Sequence, residues 1–458
     1  MEQFQQIIGT LTGYIWGPWM IISLVGIGVY FTIGTKFLQI RKFPFIIKQT
    51  LGRFFDKESE IEGEGTLIPR QAASAALSST VGVGNIVGVA TALVLGGPGA
   101  IFWMWFSALF GMCTKYAEIV LSIAYRKKDK EGNFLGGPAW YMKEGLKSPF
   151  LATIFTVSLA IVCLGGNMVQ SNAIAETVDE LFGISPGVIG VILLIGVGIV
   201  SIGGVKRLGK VTEKLVPAMT LLYIGGGIIV ILANISNLPS AISSIFTGAF
   251  SSSAVGGGVA GFAVMEAIKY GIARGLYSNE AGMGTAPIAH ATAKTDHPAR
   301  QGMWGVTEVF IDTFIIGTLT ALTILTSGVL GSDASPAVLA SLAYGTVFPG
   351  LKYIVGISLI LFAYSTIITI SYYGESLARY IGGEKLGKFY RYFFLPFTLI
   401  GSIGGLQMIW SIVDLLMGIG VIPNLIAILL LSPKVFKLTN EFFGSGQKNK
   451  PERSVPIS

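Results

Sequence analysis

Ser78, Ser79, Thr80, Val81, Gly82, Val83, Gly84 and Asn85 put four polar side chains and two glycines into the middle of an otherwise apolar stretch. Close helix packing through small residues would need neither the asparagine nor the run of hydroxyls. A helix interrupted here presents N–H groups at the start of its outer half, which suit a carboxylate. It presents C=O groups at the end of its inner half, which suit a cation. The N–H groups of Val83 and Gly84 are the expected carboxylate donors. A second interruption is expected at Gly271-Ile272-Ala273-Arg274-Gly275-Leu276, whose paired glycines are followed by polar residues. Carbonyls from Ala273 to Leu276 would take an ammonium group. Gly256-Gly257-Gly258 with Gly261 competes for this role and reads instead as a packing surface. Arg274 could attract a carboxylate, close an inner gate or sit in a structural ion pair. Gln170, within Gly165-Gly166-Asn167-Met168-Val169-Gln170-Ser171-Asn172, is an amide in an apolar segment and needs a partner. Its oxygen can accept from an ammonium, or it can bond a neighbouring helix.

These residues need elements that can hold them in lipid. Of 458 residues, 52% are hydrophobic and 12% charged, about half the charge of a soluble domain. The apolar residues come in blocks near the roughly 20 residues that cross a bilayer as a helix. Alternating strands of about 10 residues, the mark of a membrane barrel, are not the pattern. The expected class is an all-α integral membrane protein. The net charge of +7 sits in short loops between apolar blocks, which argues for membrane orientation and against nucleic acid. Cys113 and Cys163 lie in apolar segments and read as small packed hydrophobes. His290 and His297 match no zinc or catalytic-triad spacing, which argues against an enzyme. No selectivity-filter sequence argues for a channel.

Eleven spans are expected, near Tyr14–Thr35, Ala72–Leu95, Ala100–Tyr125, Leu151–Thr177, Gly187–Gly203, Val211–Ala233, Ala254–Leu276, Met303–Val329, Tyr353–Tyr373, Tyr392–Gln407 and Ile409–Leu431. Lys and Arg concentrate in alternate loops: Lys36 to Arg53, Arg126 to Lys130, Lys206 to Lys210, Lys294 and Arg300, Arg379 to Arg391, then Lys434 and Lys437. The remaining loops are nearly free of them. That alternation needs an odd number of spans and puts the N-terminus outside and the C-terminus in the cytoplasm. The first span reads as a true crossing, not a signal peptide. Phe37–Phe55 reads as an amphipathic helix on the inner surface, Asp56–Gly65 as a loop, and the chain after Pro433 as a polar tail.

The two interrupted spans are the second and the seventh. Five helices between equivalent positions is an odd number, so the two units would lie inverted in the membrane. The expected architecture is a five-plus-five inverted repeat with one added N-terminal helix: residues 1–69 as the addition, 70–236 and 237–433 as the repeats, 434–458 as a tail. Acids in or near spans are Glu118, Glu266, Glu308, Asp312 and Asp414. Lys115–Glu118 and Glu266–Lys269 have helix-pair spacing and are expected to be structural bridges. Glu308 and Asp312 share a helix face and could carry protons.

Val81-Gly82-Val83-Gly84-Asn85 resembles part of the first core helix of the bacterial leucine transporter. Gly96-Gly97-Pro98-Gly99-Ala100-Ile101-Phe102-Trp103-Met104-Trp105 with Ala108-Leu109-Phe110-Gly111, and Gly275-Leu276-Tyr277-Ser278-Asn279-Glu280-Ala281-Gly282 with Ala286-Pro287, resemble signatures of the alanine/glycine:cation symporter family. The likeness runs from about Gly63 to Pro433. It implies a monomeric sodium-coupled symporter of small amino acids (alanine, glycine or serine) in the cell membrane, without organic cofactor. Proton coupling is the alternative. The likeness favours substrate contact for Gln170. From the leucine transporter it implies sodium ligands at the carbonyls of Ser78, Val81 and Ala363 and the hydroxyl of Thr366, and a second cation site matching Thr80 and Asn85. Ile367 replaces a hydroxyl ligand there.

Overall fold

The computed structural model describes residues 2–54, 62–250, 259–332, 334–404 and 407–444. In chain order the helices are α1 (Glu2–Ile15), α2 (Pro18–Gly34), α3 (Leu38–Arg41), α4 (Phe43–Gln49), α5 (Pro69–Thr80), α6 (Val89–Gly96), α7 (Ala100–Ala124), α8 (Pro138–Trp140), α9 (Pro149–Phe182) and α10 (Pro186–Ile202). They continue with α11 (Gly204–Ala233), α12 (Leu238–Phe250), α13 (Val259–Asn279), α14 (Ala286–His290), α15 (Pro298–Val309), α16 (Thr318–Ser327), α17 (Pro336–Gly345), α18 (Lys352–Ile403), α19 (Gln407–Leu430) and α20 (Ser432–Gly444). One small hairpin pairs Lys127–Lys128 with Phe134–Leu135.

Among the described residues, seven helical stretches are long and apolar enough to cross a membrane, and eight when α5 and α6 count as one span bent by 51°. The 17-residue α10 is apolar but shorter. Helix α18 carries the ninth and tenth expected spans in 52 residues, folded over at Gly382 and Gly383, where Gly383 takes φ 69°. The expected seventh span begins on residues outside the described part, as does the Gly256–Gly258 surface; α13 follows from Val259.

Side-chain burial explains the layering. Helix α7 is buried almost all round and packs against α2, α13, α14 and α15. Helices α9 and α18 pack along most of their shared length. Ile192, Ile195, Ile199 and Ile202 of α10 and Leu221, Ile228 and Leu232 of α11 point outward, as lipid-facing residues do.

Three expectations change. The loops at 234–250 and 331–350 contain helices α12 and α17, too short to register as spans. Helix α17 packs over α6 and the turn before it. The chain after Pro433 is not simply a polar tail: α20 is amphipathic and seats Phe436 against Gly34 and Thr439 on the Tyr116 hydroxyl at 2.9 Å. The amphipathic inner-surface helix forms as α3 and α4 in succession, with Phe43 edge-on to Phe310 at 4.9 Å.

Candidate substrate and cation site

Helix α5 ends at Thr80 because Val81 leaves helical geometry, with φ −77° and ψ 97°. The Gly82 N–H donates to Asn85 Oδ1 at 2.9 Å. The Ser78 carbonyl takes hydroxyl donors from α18 instead, Thr366 Oγ1 at 3.0 Å and Ser365 Oγ at 3.1 Å. Ser78 Oγ also bonds Thr369 Oγ1. Asn85 completes the brace by donating to Asp312, at 2.6 Å to Oδ1 and 3.1 Å to the carbonyl. Its amide is engaged on both sides and wholly buried, so Asn85 holds the break in shape. Val83 and Gly84 are half-buried and begin the outer half, a wide turn over Gly84–Gly88 leading into α6. A Cβ on Gly84 would lie 3.5 Å from the Ser278 Cα, so the two halves of the fold touch here.

The second interruption is not at Gly271–Leu276. Helix α13 continues unbroken to Asn279, and the Leu276 carbonyl accepts from Glu280 N–H at 3.0 Å. The carbonyls of Ala273, Arg274 and Gly275 lie inside that helix. The glycines serve packing: a Cβ on Gly271 would sit 2.3 Å from the Ala100 carbonyl oxygen, and one on Gly275 2.8 Å from Ser107 Oγ. Glycines four residues apart on one face let α13 and α7 approach closely, the general small-residue device of membrane helices. Arg274 lies within electrostatic reach of Asp414 and Tyr277.

The chain instead turns out of helix over Glu280–Thr285, with positive φ at Glu280 (55°), Gly282 (89°) and Gly284 (78°). Pro287 then opens α14. The spacing Gly-x-Gly followed by a proline near a helix start was the available signal. The freed N–H groups are satisfied internally. Glu118 accepts from Gly282 N at 3.2 Å, Gly284 N at 3.0 Å and Asn424 Nδ2 at 2.6 Å. Glu118 therefore does not pair with Lys115, whose partner is Glu308 at 3.4 Å. The Glu266–Lys269 pair is present at 3.6 Å.

Several residues at the junction carried no role in the sequence reading. Glu280, half-buried, accepts from Thr285 Oγ1 at 2.6 Å and Ser79 Oγ at 3.4 Å, and Ser79 meets the Tyr373 hydroxyl at 3.2 Å. Ser278 donates to Asp312 at 3.1 Å. Thr80 Oγ1 receives a hydrogen bond from Lys115 Nζ at 3.1 Å. His290, for which the sequence suggested no chemistry, bonds Glu308 at 2.6 Å.

Of the implied sodium ligands, Ser78 and Thr366 meet directly, Val81 is the turning residue of the break, and Ala363 lies one turn before Thr366 on α18. Gln170 Oε1 is buried without a hydrogen-bond partner. It lies one helical turn beyond Gly166, whose Cβ position is 3.3 Å from Ile370 of α18. Because α9 and the part of α18 before Gly382 run antiparallel, that turn carries Gln170 toward the level of Thr366.

Three comparisons bear on this arrangement. The model of the sodium:alanine symporter family matches residues 1–455. The sodium/alanine symporter AgcS of the archaeon Methanococcus maripaludis is 41% identical over 448 residues, covering 96% of this chain and 97% of the relative. The uncharacterized transporter YflA of Bacillus subtilis is 46% identical over 451 residues, covering 98% and 95%. The crystal structure of MhsT in complex with L-phenylalanine superposes with a TM-score of 0.58 at 15% identity, over 81% of this chain and 90% of that one, which speaks to fold. The fold is that of the leucine-transporter-like inverted repeat. The chain belongs to the sodium:alanine symporter family: it is a multi-pass amino-acid–cation symporter and not an enzyme.

Proposed function

We propose that the chain couples inward sodium movement to uptake of small amino acids, alanine foremost, with glycine or serine as further cargo. It acts as a monomer in the cell membrane with its N-terminus outside and C-terminus cytoplasmic. Residues 70–236 and 237–433 are the two inverted repeats, and one helix bundle rocks against the other around the broken helices to expose the site to either side in turn.

The observation that carries this reading is the Ser78 carbonyl, released from its own helix and met by Thr366 Oγ1 at 3.0 Å. Uncharged oxygens from two packed elements suit a hard monovalent cation. In this reading the carbonyls of Ser78, Val81 and Ala363 and the Thr366 hydroxyl hold sodium. Val83 and Gly84 N–H groups hold the carboxylate. Gln170 Oε1, buried and unpaired, accepts from the ammonium, with Glu280 supplying negative charge nearby. Thr80 and Asn85 brace the first break. The Ala273–Leu276 segment supports the site through helix packing.

A panel of amino acids, bound to purified protein in sodium or in choline, tests the reading. Alanine is expected to bind in sodium and to lose at least about tenfold in affinity in choline, the loss of about one favourable interaction. Alanine binding equal in the two salts would overturn sodium coupling.

A further inference from the structure

Lys115 is wholly buried in a transporter whose cargo includes a cation. Its ammonium lies 3.0 Å from the Asn279 carbonyl, 3.1 Å from Thr80 Oγ1 and 3.4 Å from Glu308 Oε2. Two hydrogen bonds go to the Asn279 and Thr80 oxygens, and Glu308 Oε2 stands at ion-pair distance. Thr80 is the last residue of α5 and Asn279 the last of α13. Two helix C-termini therefore converge on one point, and each carries the negative end of a helix dipole. Such a point calls for positive charge. The site draws it from the chain itself.

The neighbourhood is otherwise acidic. Lys115 is the basic group acting on Glu118, Glu280 and Asp312 as well as on Glu308. Each carboxylate is committed elsewhere: Glu118 to the N–H groups of the second break, Asp312 to Asn85 and Ser278, Glu280 to Thr285. Glu308 is steered onto Lys115 from behind, because its other oxygen bonds His290 Nε2 at 2.6 Å, and His290 Nδ1 bonds Gln301 at 2.8 Å. A lone buried ammonium would be costly. One held by a buried carboxylate and two helix-terminal oxygens is a fixed part of the structure.

We propose that the Lys115 ammonium is a tethered cation standing where a second transported sodium would bind, so the protein carries a single sodium ion per amino acid. The proposal rests on the sodium-coupled reading above and fixes its stoichiometry. Thr80 and Asn85, the two positions that would have served a second ion, are both taken up: one by the lysine, the other by Asp312 and Gly82. The charge that a second ion would bring to the junction of the two breaks is already there, and it does not leave with the cargo.

The experiment is the reversal potential of alanine flux in proteoliposomes holding the full chain, with sodium and alanine gradients set independently. A single-sodium cycle moves one charge per alanine and reverses when the membrane potential balances one sodium gradient plus the alanine gradient. Reversal at a potential that requires two sodium ions per alanine would overturn the proposal while leaving sodium-coupled transport standing. Flux that no sodium gradient shifts would overturn the functional reading and the proposal together. Lys115→Met gives a second readout. Sodium dependence of alanine binding is expected to pass from hyperbolic in the parent to sigmoidal in the variant, or binding is lost at every sodium concentration while the purified variant remains monodisperse. Unchanged hyperbolic dependence and affinity in Lys115→Met would contradict the proposal.

Discussion

At the scale of single residues, the account separates groups that face cargo from groups that brace the backbone. Gln170 Oε1 and the Thr366 hydroxyl are proposed as the first kind. Gln170→Ala is expected to weaken alanine binding by about ten- to a hundredfold, the range for a hydrogen bond to a charged partner, with thermal stability held. Isothermal binding titration and a thermal melt read the two separately. Thr366→Val keeps the side-chain volume but removes the oxygen, and should raise the sodium concentration for half-maximal alanine binding about tenfold. A sodium titration at fixed alanine checks this. Asn85 belongs to the second kind, since it spans Gly82 and Asp312. Asn85→Ala leaves a buried carboxylate short of a donor and is expected to cost about 1–3 kcal/mol of stability, visible as a lower melting temperature.

At the scale of elements, the glycines of α13 show why one break was legible and the other misplaced. The run from Ser78 to Asn85 combined two glycines with hydroxyls and an amide, and no packing explanation needs that mixture. The pair Gly271 and Gly275 has two uses in a membrane helix, a hinge or a close approach, and spacing alone does not separate them. The deciding fact is the backbone of α7, whose Ala100 carbonyl lies 2.3 Å from where a Gly271 Cβ would be. That is a long-range contact with no local trace. The true turn at Glu280–Thr285 had a trace in Gly282, Gly284 and Pro287. The carboxylate that cradles it, Glu118, comes from an element more than a hundred and fifty residues away. Gly275→Leu is therefore expected to destabilise the protein by about 1–3 kcal/mol through overpacking against Met104 and Ser107. A thermal melt and an alanine titration on the folded fraction distinguish this from loss of a substrate contact, which would lower affinity with the melt unchanged.

At the scale of the whole molecule, hydropathy carried the helical membrane architecture because lipid imposes it on every span at once. Side-chain networks between distant elements were not legible, and the face that carries the hairpin shows the consequence. Arg379 bonds Asp129 of the hairpin at 2.9 Å, Glu375 at 2.8 Å and Glu384 at 2.8 Å, while Arg391 bonds Glu375 at 2.5 Å. Asp129, Glu375, Arg379 and Arg391 border a cavity of about 280 Å³ with Tyr372 and Lys206. One of these ties, Arg379–Asp129, links α18 to the hairpin after α7, and the others lie within α18 and hold Arg379 in place. Asp129→Asn should loosen the hairpin from α18 and raise the labelling rate of a cysteine placed at Val205 severalfold, since a charged tie lost shifts such an equilibrium by about 1 kcal/mol or more. The central claim is that the junction of the two interrupted helices binds sodium and a small amino acid together and moves both. Uptake of labelled alanine into proteoliposomes under an inward sodium gradient tests it most directly. The account predicts alanine accumulated above its outside concentration, driven further by an inside-negative potential and abolished when sodium inside and outside are equal with no potential. Equal uptake with and without the sodium gradient would contradict it.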